Sequence, residues 1–146
     1  MINILSTEKN GYETLSNLLT PSFRYTLLSK SLIFPTVEHC YQCAKAIFHG
    51  DYDLANKIFK AKNGWAAKKL SLKIKTNDIW DKKKFVVIEA MMDACFNQHV
   101  KHKSLLLSTK EELLTHKHPY LNLGIWQEKF PEILIKLRTK YQNESI

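Results

Sequence analysis

The chain has 146 residues, 45% of them hydrophobic, and its 22 basic against 14 acidic residues give a formal net charge of +8. This length and composition suit one substantial core, so we expect a single domain over residues 1–146. No apolar run approaches the roughly 20 residues that span a bilayer, and no leader-like segment opens the chain; we therefore expect a cytoplasmic protein without membrane partners. The positive charge favours anionic partners such as phosphates or nucleic acid.

Short apolar stretches separated by turn residues open the chain. Residues 2–5 and 25–34 predict one or two short strands, and Asn10-Gly11 and residues 20–22 are typical of the turns between them. After Pro35 the pattern becomes helical. The fold class predicted from this order is mainly α, with a small β element near the N-terminus.

The segment after Pro35 predicts a short helix that separates packing from chemistry. Pro35 suits a first helical turn, and Thr36 offers a capping hydroxyl. At 100° per residue the predicted core face comprises Val37, Tyr41, Ala44 and Phe48. An adjacent polar stripe, at spacings of four, three and four, comprises Glu38, Gln42, Lys45 and His49. This stripe fits either a solvated face or a ligand site, and periodicity alone favours the solvated face.

Further helices are predicted over residues 53–61, 65–73, 81–99 and 103–115, and from Pro131 onward. Asp53 is the expected cap of the first of these, and Asn63-Gly64 its stop. Pro131 suits the start of the last helix. The long helix is expected to bury Phe85, Ile88, Met92, Cys95, Phe96 and His99, and the last one Ile133, Leu134, Leu137 and Tyr141.

Three cysteines, Cys40, Cys43 and Cys95, are too few and odd in number for a disulfide framework. Cys40 and Cys43 form a C-x-x-C preceded by His39, which admits a zinc or redox site as the less favoured alternative. With only 4 glycines and no glycine-rich run, a phosphate-binding loop or a dinucleotide-binding turn is excluded. We expect neither a metal nor another cofactor.

The predicted helix resembles the signature of the NADAR family, also described as YbiA-like. The matching positions are Pro35-Thr36, Glu38-His39, Gln42 and Lys45. Leu15-Ser16-Asn17-Leu18 is similar to an early Phe-Ser-Asn-Phe element of the family, and the stretch from Trp80 to residues 105–109 is similar to its Trp-to-Leu-Leu-x-Thr block. The resemblance spans about residues 2 to 115 and implies a single compact NADAR-like domain.

Beyond this span the chain departs from the family pattern, which has an Asp, then Trp-Gly, then Asn-x-Leu-Gly. Asn122-Leu123-Gly124 keeps a fragment of that pattern, but no Asp follows Asp93. Cys95 stands where the family has a Lys. These departures bear on whether the chain retains turnover.

The resemblance implies an N-glycosidase that hydrolyses the bond between ribose and a base. The implied substrates are ADP-ribose attached to guanine in nucleic acid, or phosphorylated ribosylamino-pyrimidine intermediates of riboflavin synthesis. Breaking such a bond develops positive charge on the sugar, which a carboxylate stabilises. Glu38, the only acid of the stripe, is the candidate for this role or for activating water. Lys45 is the candidate to pair with a phosphate or to attack the anomeric carbon.

Other residues are candidates for substrate binding, each with a structural alternative. Gln42 would bond the sugar, and His39 either contacts substrate or, as we favour, packs structurally. Trp80 would stack on the base or anchor a helix. Ser16 and Asn17 would shape the site from the N-terminal loop.

Two further interpretations stay open. The first is an ADP-ribose or nucleotide-binding protein on the same fold that has lost turnover with the missing Asp and Trp-Gly element. The second is a structural or protein-interaction domain, which no positive feature of the sequence favours.

Overall fold

A computed structural model describes residues 1–144. Within them the helices are α1 Val37–Phe48, α2 Tyr52–Phe59, α3 Gly64–Ser71, α4 Asp78–Gln98, α5 Val100–Leu107 and α6 Trp126–Glu144. The strands are β1 Ile2–Asn3, β2 Phe23–Leu27, β3 Lys30–Phe34 and β4 Leu114–Thr115, and a 3₁₀ turn covers Glu13–Leu15. The predicted mainly α fold with small strand elements is confirmed.

The chain divides into two compact units. The discontinuous unit combines residues 1–16 with the chain from His99 onward, and the central unit is the uninterrupted segment Asn17–Gln98. In the discontinuous unit β1 pairs in parallel with β4, with Ile2 opposite Leu114. There the guanidinium of Arg138, a buried residue of α6, donates to Thr109 Oγ1 at 3.0 Å and to the Glu112 carbonyl at 2.8 Å.

In the central unit, β2 and β3 form an antiparallel hairpin with Phe23 opposite Phe34. Its turn residues Leu28 and Ser29 both have positive φ, 50° and 65°, the conformation of a two-residue turn that usually employs Gly or Asn. The predicted apolar stretch over residues 25–34 is therefore most of a hairpin. Helix α1 packs against α2, α3 and α4 and forms the middle of this unit.

Two predicted capping roles in the central unit were wrong. Asp51, not Asp53, caps α2 by accepting from the Leu54 N–H at 3.1 Å. Asn63 does not act as the end of α2; its side chain accepts from the Ala66 N–H at 2.8 Å and begins α3. Asp and Asn side chains carry the same kind of hydrogen-bond acceptor. The local backbone conformation therefore decides which of two nearby residues caps a helix.

Helix boundaries also differ from the prediction. Helix α4 begins at Asp78, three residues before Asp81, because the Asn77 side chain accepts from the Trp80 N–H at 2.8 Å. Helix α5 ends at Leu107, and residues 114–115 of the predicted helix form β4 instead.

Helix α6 begins at Trp126, so Pro131 lies inside the helix rather than at its start. The helix is initiated by a turn at Gly124, whose φ is +65° and whose carbonyl accepts from the Gln127 N–H at 3.1 Å. A proline at this position costs the helix one hydrogen bond but keeps a helical φ. The four core positions predicted for this helix, Ile133, Leu134, Leu137 and Tyr141, are buried.

The core of α1 also differs in part from its predicted face. Val37 and Tyr41 are buried, but Phe48 is 39% exposed and Ala44 is half-buried. Among the helices of residues 1–144, none has the length and hydrophobicity that a membrane span requires.

Candidate active site on helix α1

The N-terminus of α1 is fixed by Thr36 and His39. Thr36 Oγ1 accepts from the His39 backbone N–H at 3.1 Å, which satisfies one of the free donors of the first turn. The same hydroxyl lies 2.8 Å from His39 Nδ1, and His39 Nε2 lies 2.9 Å from the Ala61 carbonyl. A carbonyl only accepts, so Nε2 carries the proton and Nδ1 accepts from the threonine hydroxyl.

Both ring nitrogens of His39 are therefore engaged within the protein, and the side chain is fully buried. Burial lowers the pKa of His39, against the weaker opposing effect of its bond to Ala61, which favours the neutral ring that this pattern requires. His39 connects α1 to the turn between α2 and α3. This geometry supports the structural alternative that the sequence analysis favoured.

The loop that precedes the hairpin supplies further caps to α1. The Val37 N–H donates to Thr20 Oγ1 at 2.8 Å, and the Glu38 N–H donates to the Asn17 carbonyl at 3.0 Å. Gly64 fixes the other side of this loop, because a Cβ there would lie 2.6 Å from the Leu18 carbonyl oxygen. The loop is thus held between the first turns of α1 and α3, with Asn17 beside Glu38.

Glu38 is a buried acid held by a neighbour on its own helix. Gln42 Nε2 donates to Glu38 Oε1 at 2.7 Å, and both side chains are buried. Burial raises the pKa of Glu38, and the Gln42 hydrogen bond and the positive charges of Lys68 and Lys45 oppose that rise less strongly. Buried acids with a raised pKa and specific charged neighbours are typical of functional sites.

Two buried side-chain acceptors, Gln42 Oε1 and Asn17 Oδ1, have no hydrogen-bond partner among residues 1–144. Gln42 bonds the Glu38 carboxyl group through its other amide atom, and Asn17 bonds the Glu38 N–H through its backbone carbonyl. Buried polar atoms in folded proteins nearly always have partners, and leaving one without costs about 1–3 kcal/mol. Such acceptors can accept from a ligand that carries hydroxyl or N–H donors.

Lys45 lies two helical turns after Glu38 and is half-buried. Burial lowers its pKa; the charge of Glu38 opposes this, Lys84 adds to it, and Asp81 opposes it. A lowered pKa increases the neutral fraction of an amine, which is the nucleophilic form. The stripe therefore combines an acid that is harder to ionise with an amine that is easier to deprotonate.

Trp80 closes the C-terminal side of α1. Its indole is 2% exposed and lies against the rings of Tyr41 and Phe48, with centroids 5.6 Å and 5.4 Å away. His49 Nε2 accepts from the Asn77 N–H at 3.2 Å, and His49 Nδ1 donates to the Lys45 carbonyl at 2.7 Å. His49 thus joins the end of α1 to the start of α4, and Trp80 packs as a helix anchor.

The structure brings together four of the seven residues predicted for the site, namely Asn17, Glu38, Gln42 and Lys45. His39 belongs to α1, and both of its ring nitrogens are hydrogen-bonded within the protein. Trp80 belongs to α4, and its indole packs against two rings of α1. Ser16 is buried at the end of the first segment of the discontinuous unit. All the grouped residues belong to the central unit.

Three contributors escaped the sequence analysis: Thr20, Gly64 and Lys68. The Thr20 hydroxyl accepts from the backbone of α1, and Gly64 leaves room for the backbone of Leu18. A Thr-Pro turn and a Gly at a helix start were the signals that pointed to them. Lys68 acts on Glu38 through its charge, and only the packing of α3 on α1 brings the two near each other.

The cysteines take no part in this group. All three thiols are buried, and burial raises the pKa of Cys43 and Cys95 to about 12. Cys43 Sγ donates to the Ala55 carbonyl at 3.3 Å. Within residues 1–144 no three His, Cys, Asp or Glu side chains form a group that could share a metal ion.

Comparison with known proteins agrees with the resemblance of the sequence. The family model described as NADAR domain matches residues 5–126, which extends past the predicted limit near residue 115. The NMR structure of the E. coli protein YbiA is similar to this fold with a TM-score of 0.78 and 23% identity, covering 99% of this chain and 86% of that one. No curated protein sequence matches. Because the family model covers most of its length, the chain belongs to the NADAR domain family.

Proposed function

We propose that the protein is an N-glycosidase that cleaves the bond between ribose and a base, with ADP-ribose on a guanine of nucleic acid, or a related ribosyl-base phosphate, as substrate. The observation that carries the proposal is the buried Glu38–Gln42 pair, with the unpaired acceptors Gln42 Oε1 and Asn17 Oδ1 among residues 1–144 and with Lys45 on the same stripe. Ribose hydroxyls are donors of the kind that Asn17 Oδ1 and Gln42 Oε1 lack.

In the first route Glu38 acts as a carboxylate. The C1′–N bond breaks with its electron pair going to the base, and the Glu38 charge stabilises the positive sugar that results. Water then attacks C1′ and gives its proton to Glu38, which passes it to the leaving base. The products are the free sugar and the protonated base, and the carboxylate is restored.

In the second route the neutral amine of Lys45 bonds to C1′ as the base leaves with the electron pair and takes up a proton. Opening of the sugar ring gives a Schiff base, and the ring oxygen becomes a hydroxyl. Water then hydrolyses the C=N bond and restores the amine. Only the second route has a covalent intermediate. Borohydride should reduce its Schiff base and so leave the sugar attached to Lys45, which the first route does not predict.

The test uses purified protein and an oligonucleotide carrying ADP-ribose on one guanine, with release of ADP-ribose followed by chromatography. Loss of an acid or base group costs about 10²–10⁴-fold in rate, so Glu38→Gln should lose at least a hundredfold. Glu111→Gln, at an exposed acid of the discontinuous unit, should retain wild-type activity. Absence of release above background, or full activity in Glu38→Gln, would contradict the proposal.

A second candidate is a binding protein that keeps the site and lacks turnover. The lack of any Asp after Asp93 favours it, because the family pattern has one there. Calorimetry should then detect ADP-ribose binding that Gln42→Leu weakens, without product after long incubation. Measurable turnover would reject this candidate.

A further inference from the structure

One stretch of the central unit, which begins after Asp53 in the first turn of α2, contains lysines and no acid. Between Asp53 and Asp78 the chain has seven lysines and no Asp or Glu. Six of these lysines are exposed, namely Lys57, Lys60, Lys62, Lys69, Lys73 and Lys75. None of the seven forms an ion pair with the residues that the structure describes. Their charges are therefore available to an anionic partner.

The packing of the helices places this charge on the outer side of the central unit. Helices α2 and α3 both pack against α1 and against each other, and their buried residues are Leu54, Ala55, Ile58, Gly64, Ala67 and Ser71. Lys57 of α2 and Lys69 of α3 consequently lie on faces turned away from α1, and the other four exposed lysines lie in the segments that follow these two helices. We call these six lysines, together with Trp65, the α2–α3 basic surface.

Trp65 is an exposed aromatic residue within this charge. It lies in the first turn of α3, is 56% exposed, and has Lys68 Nζ 5.8 Å from its ring centroid. A flat exposed ring beside cations is the arrangement with which proteins stack unpaired bases.

Lys68 connects this surface to the candidate active site. Its ammonium lies over the Trp65 ring, and its charge is also among those that act on Glu38. Lys68 therefore places Trp65 within electrostatic reach of the candidate site. This connection follows from the packing of α3 against α1.

An anionic membrane fits the surface less well than a nucleic acid does. An interfacial helix keeps its apolar face separate from its charges. On α3 the exposed Trp65 lies on the same face as Leu72, seven residues later, and Lys68 and Lys69 lie between them at helical spacing. Inserting that face into lipid would carry two ammonium groups with it.

We propose that the α2–α3 basic surface binds single-stranded nucleic acid, with its lysines on the phosphates and one unpaired base stacked on Trp65. The position of this strand beside Glu38 rests on the proposed function. The binding itself does not, because an unmodified strand has no ADP-ribose to be cleaved.

The test measures binding of a fluorescent, unmodified single strand of about 12 nucleotides by polarisation, over a series of salt concentrations. The double variant K69E/K73E should weaken binding at least tenfold and reduce the salt slope by about 1.4, since each phosphate contact contributes about 0.7 for single strands. Its matched control is K101E/K117E, the same charge change at two exposed lysines of the discontinuous unit, which should bind as wild type does.

Stacking is tested separately. Trp65→Ala should weaken binding about tenfold and Trp65→Phe should restore most of it, because stacking on an aromatic ring contributes about 1–3 kcal/mol per base. Tyr120→Ala, at an aromatic residue that is 91% exposed in the discontinuous unit, is the control and should change nothing. Circular dichroism verifies that each variant is folded.

The outcomes separate this inference from the proposed function. Glu38→Gln should bind the strand normally, so lost turnover with retained binding contradicts neither. Equal affinity for a duplex of the same sequence, or an unchanged affinity in Trp65→Ala, would overturn the single-strand assignment. Binding to vesicles with phosphatidylserine, without binding to the strand, would overturn the inference in favour of a membrane. If the protein turned over a mononucleotide substrate but bound no strand, this inference would be wrong and the proposed function would be supported.

Discussion

Gln42 donates a hydrogen bond from Nε2 to Oε1 of Glu38 over 2.7 Å, and the two residues are one helical turn apart on α1. This bond lowers the pKa of Glu38, while the larger effect of burial raises it. The pKa of Glu38 thus depends on two opposing effects, and a single substitution that removes one of them should shift the pKa in a known direction.

Replacing Gln42 by Leu should raise the pKa of Glu38 further, because it removes the donor that favours the charged form. Carbon NMR of the Glu38 carboxyl group measures this directly, and the acid limb of any pH–rate profile should move to higher pH. Gln142→Leu, which removes an exposed donor to the Lys110 carbonyl, should leave Glu38 unaffected. An unchanged or lower pKa in Gln42→Leu would show that the hydrogen bond is not formed in solution.

Glu38→Gln should be more stable than wild type at neutral pH. The folded pKa of Glu38 lies above its unfolded value, so the folded state prefers the protonated acid and loses stability as pH rises through that interval. The advantage of Glu38→Gln should therefore vanish as pH falls toward about 4, near the unfolded pKa of a glutamate. Urea unfolding at several pH values measures the difference. A wild type that is the more stable at pH 7.5 would contradict the direction of the shift.

His102 should give the opposite pH dependence. It is buried in α5, and burial lowers its pKa to about 4, with a smaller contribution from His99. The folded state prefers the neutral ring, so His102 contributes fully to the free energy of unfolding above about pH 6.5. This contribution, about 3 kcal/mol in total, is lost as pH falls toward 4. His102→Gln should flatten that part of the curve of unfolding free energy against pH. An equally steep curve in the variant would assign the acid sensitivity to other groups.

Gly64→Ala should destabilise the central unit by about 2 kcal/mol, the usual cost of forcing an extra methyl group into a packed contact. The new Cβ would meet backbone atoms of Leu18 at 2.6 Å and 2.9 Å, which no side-chain rotation relieves. Because the same loop carries Asn17, hydrogen exchange should increase at the Glu38 N–H, which donates to the Asn17 carbonyl. Unaltered stability would mean that the loop lies farther from α3.

Gln98 should stabilise the outer edge of the hairpin. Its Oε1 accepts from the Arg24 N–H at 2.7 Å and its Nε2 donates to the Arg24 carbonyl at 2.8 Å, as a neighbouring strand would. Gln98→Ala should cost about 1 kcal/mol and speed exchange of the Arg24 amide. Gln98→Glu keeps the acceptor and loses the donor, so Arg24 should be protected to an intermediate degree. Equal exchange in both variants would contradict the paired geometry.

The sequence was sufficient for the elements whose local signals agree. Thr36 precedes an amphipathic segment, and α1 begins immediately after it. The hairpin turn at Leu28-Ser29 could not be predicted, because neither residue is typical of positive φ and the strands themselves impose it. Pro131 was misleading for a similar reason, since tertiary packing accepts a proline inside α6.

For the site, the spacing of Glu38, Gln42 and Lys45 and the family signature were enough to group the residues. Their burial was not predictable, because it comes from the loop at Asn17 and from α3, which lie outside the helix itself. The face that periodicity favoured as solvated is therefore the one that holds a buried acid.

The pairing of β1 with β4 has a consequence for the order of folding during synthesis. Ile2 can pair only after Leu114, more than a hundred residues later, has been synthesised. The central unit, in contrast, is one uninterrupted segment that ends at Gln98. Chains fold as units while they emerge from the ribosome, and local contacts form before distant ones. The segment that carries Glu38 is thus fully made before Ile2 and Asn3 acquire their partner strand.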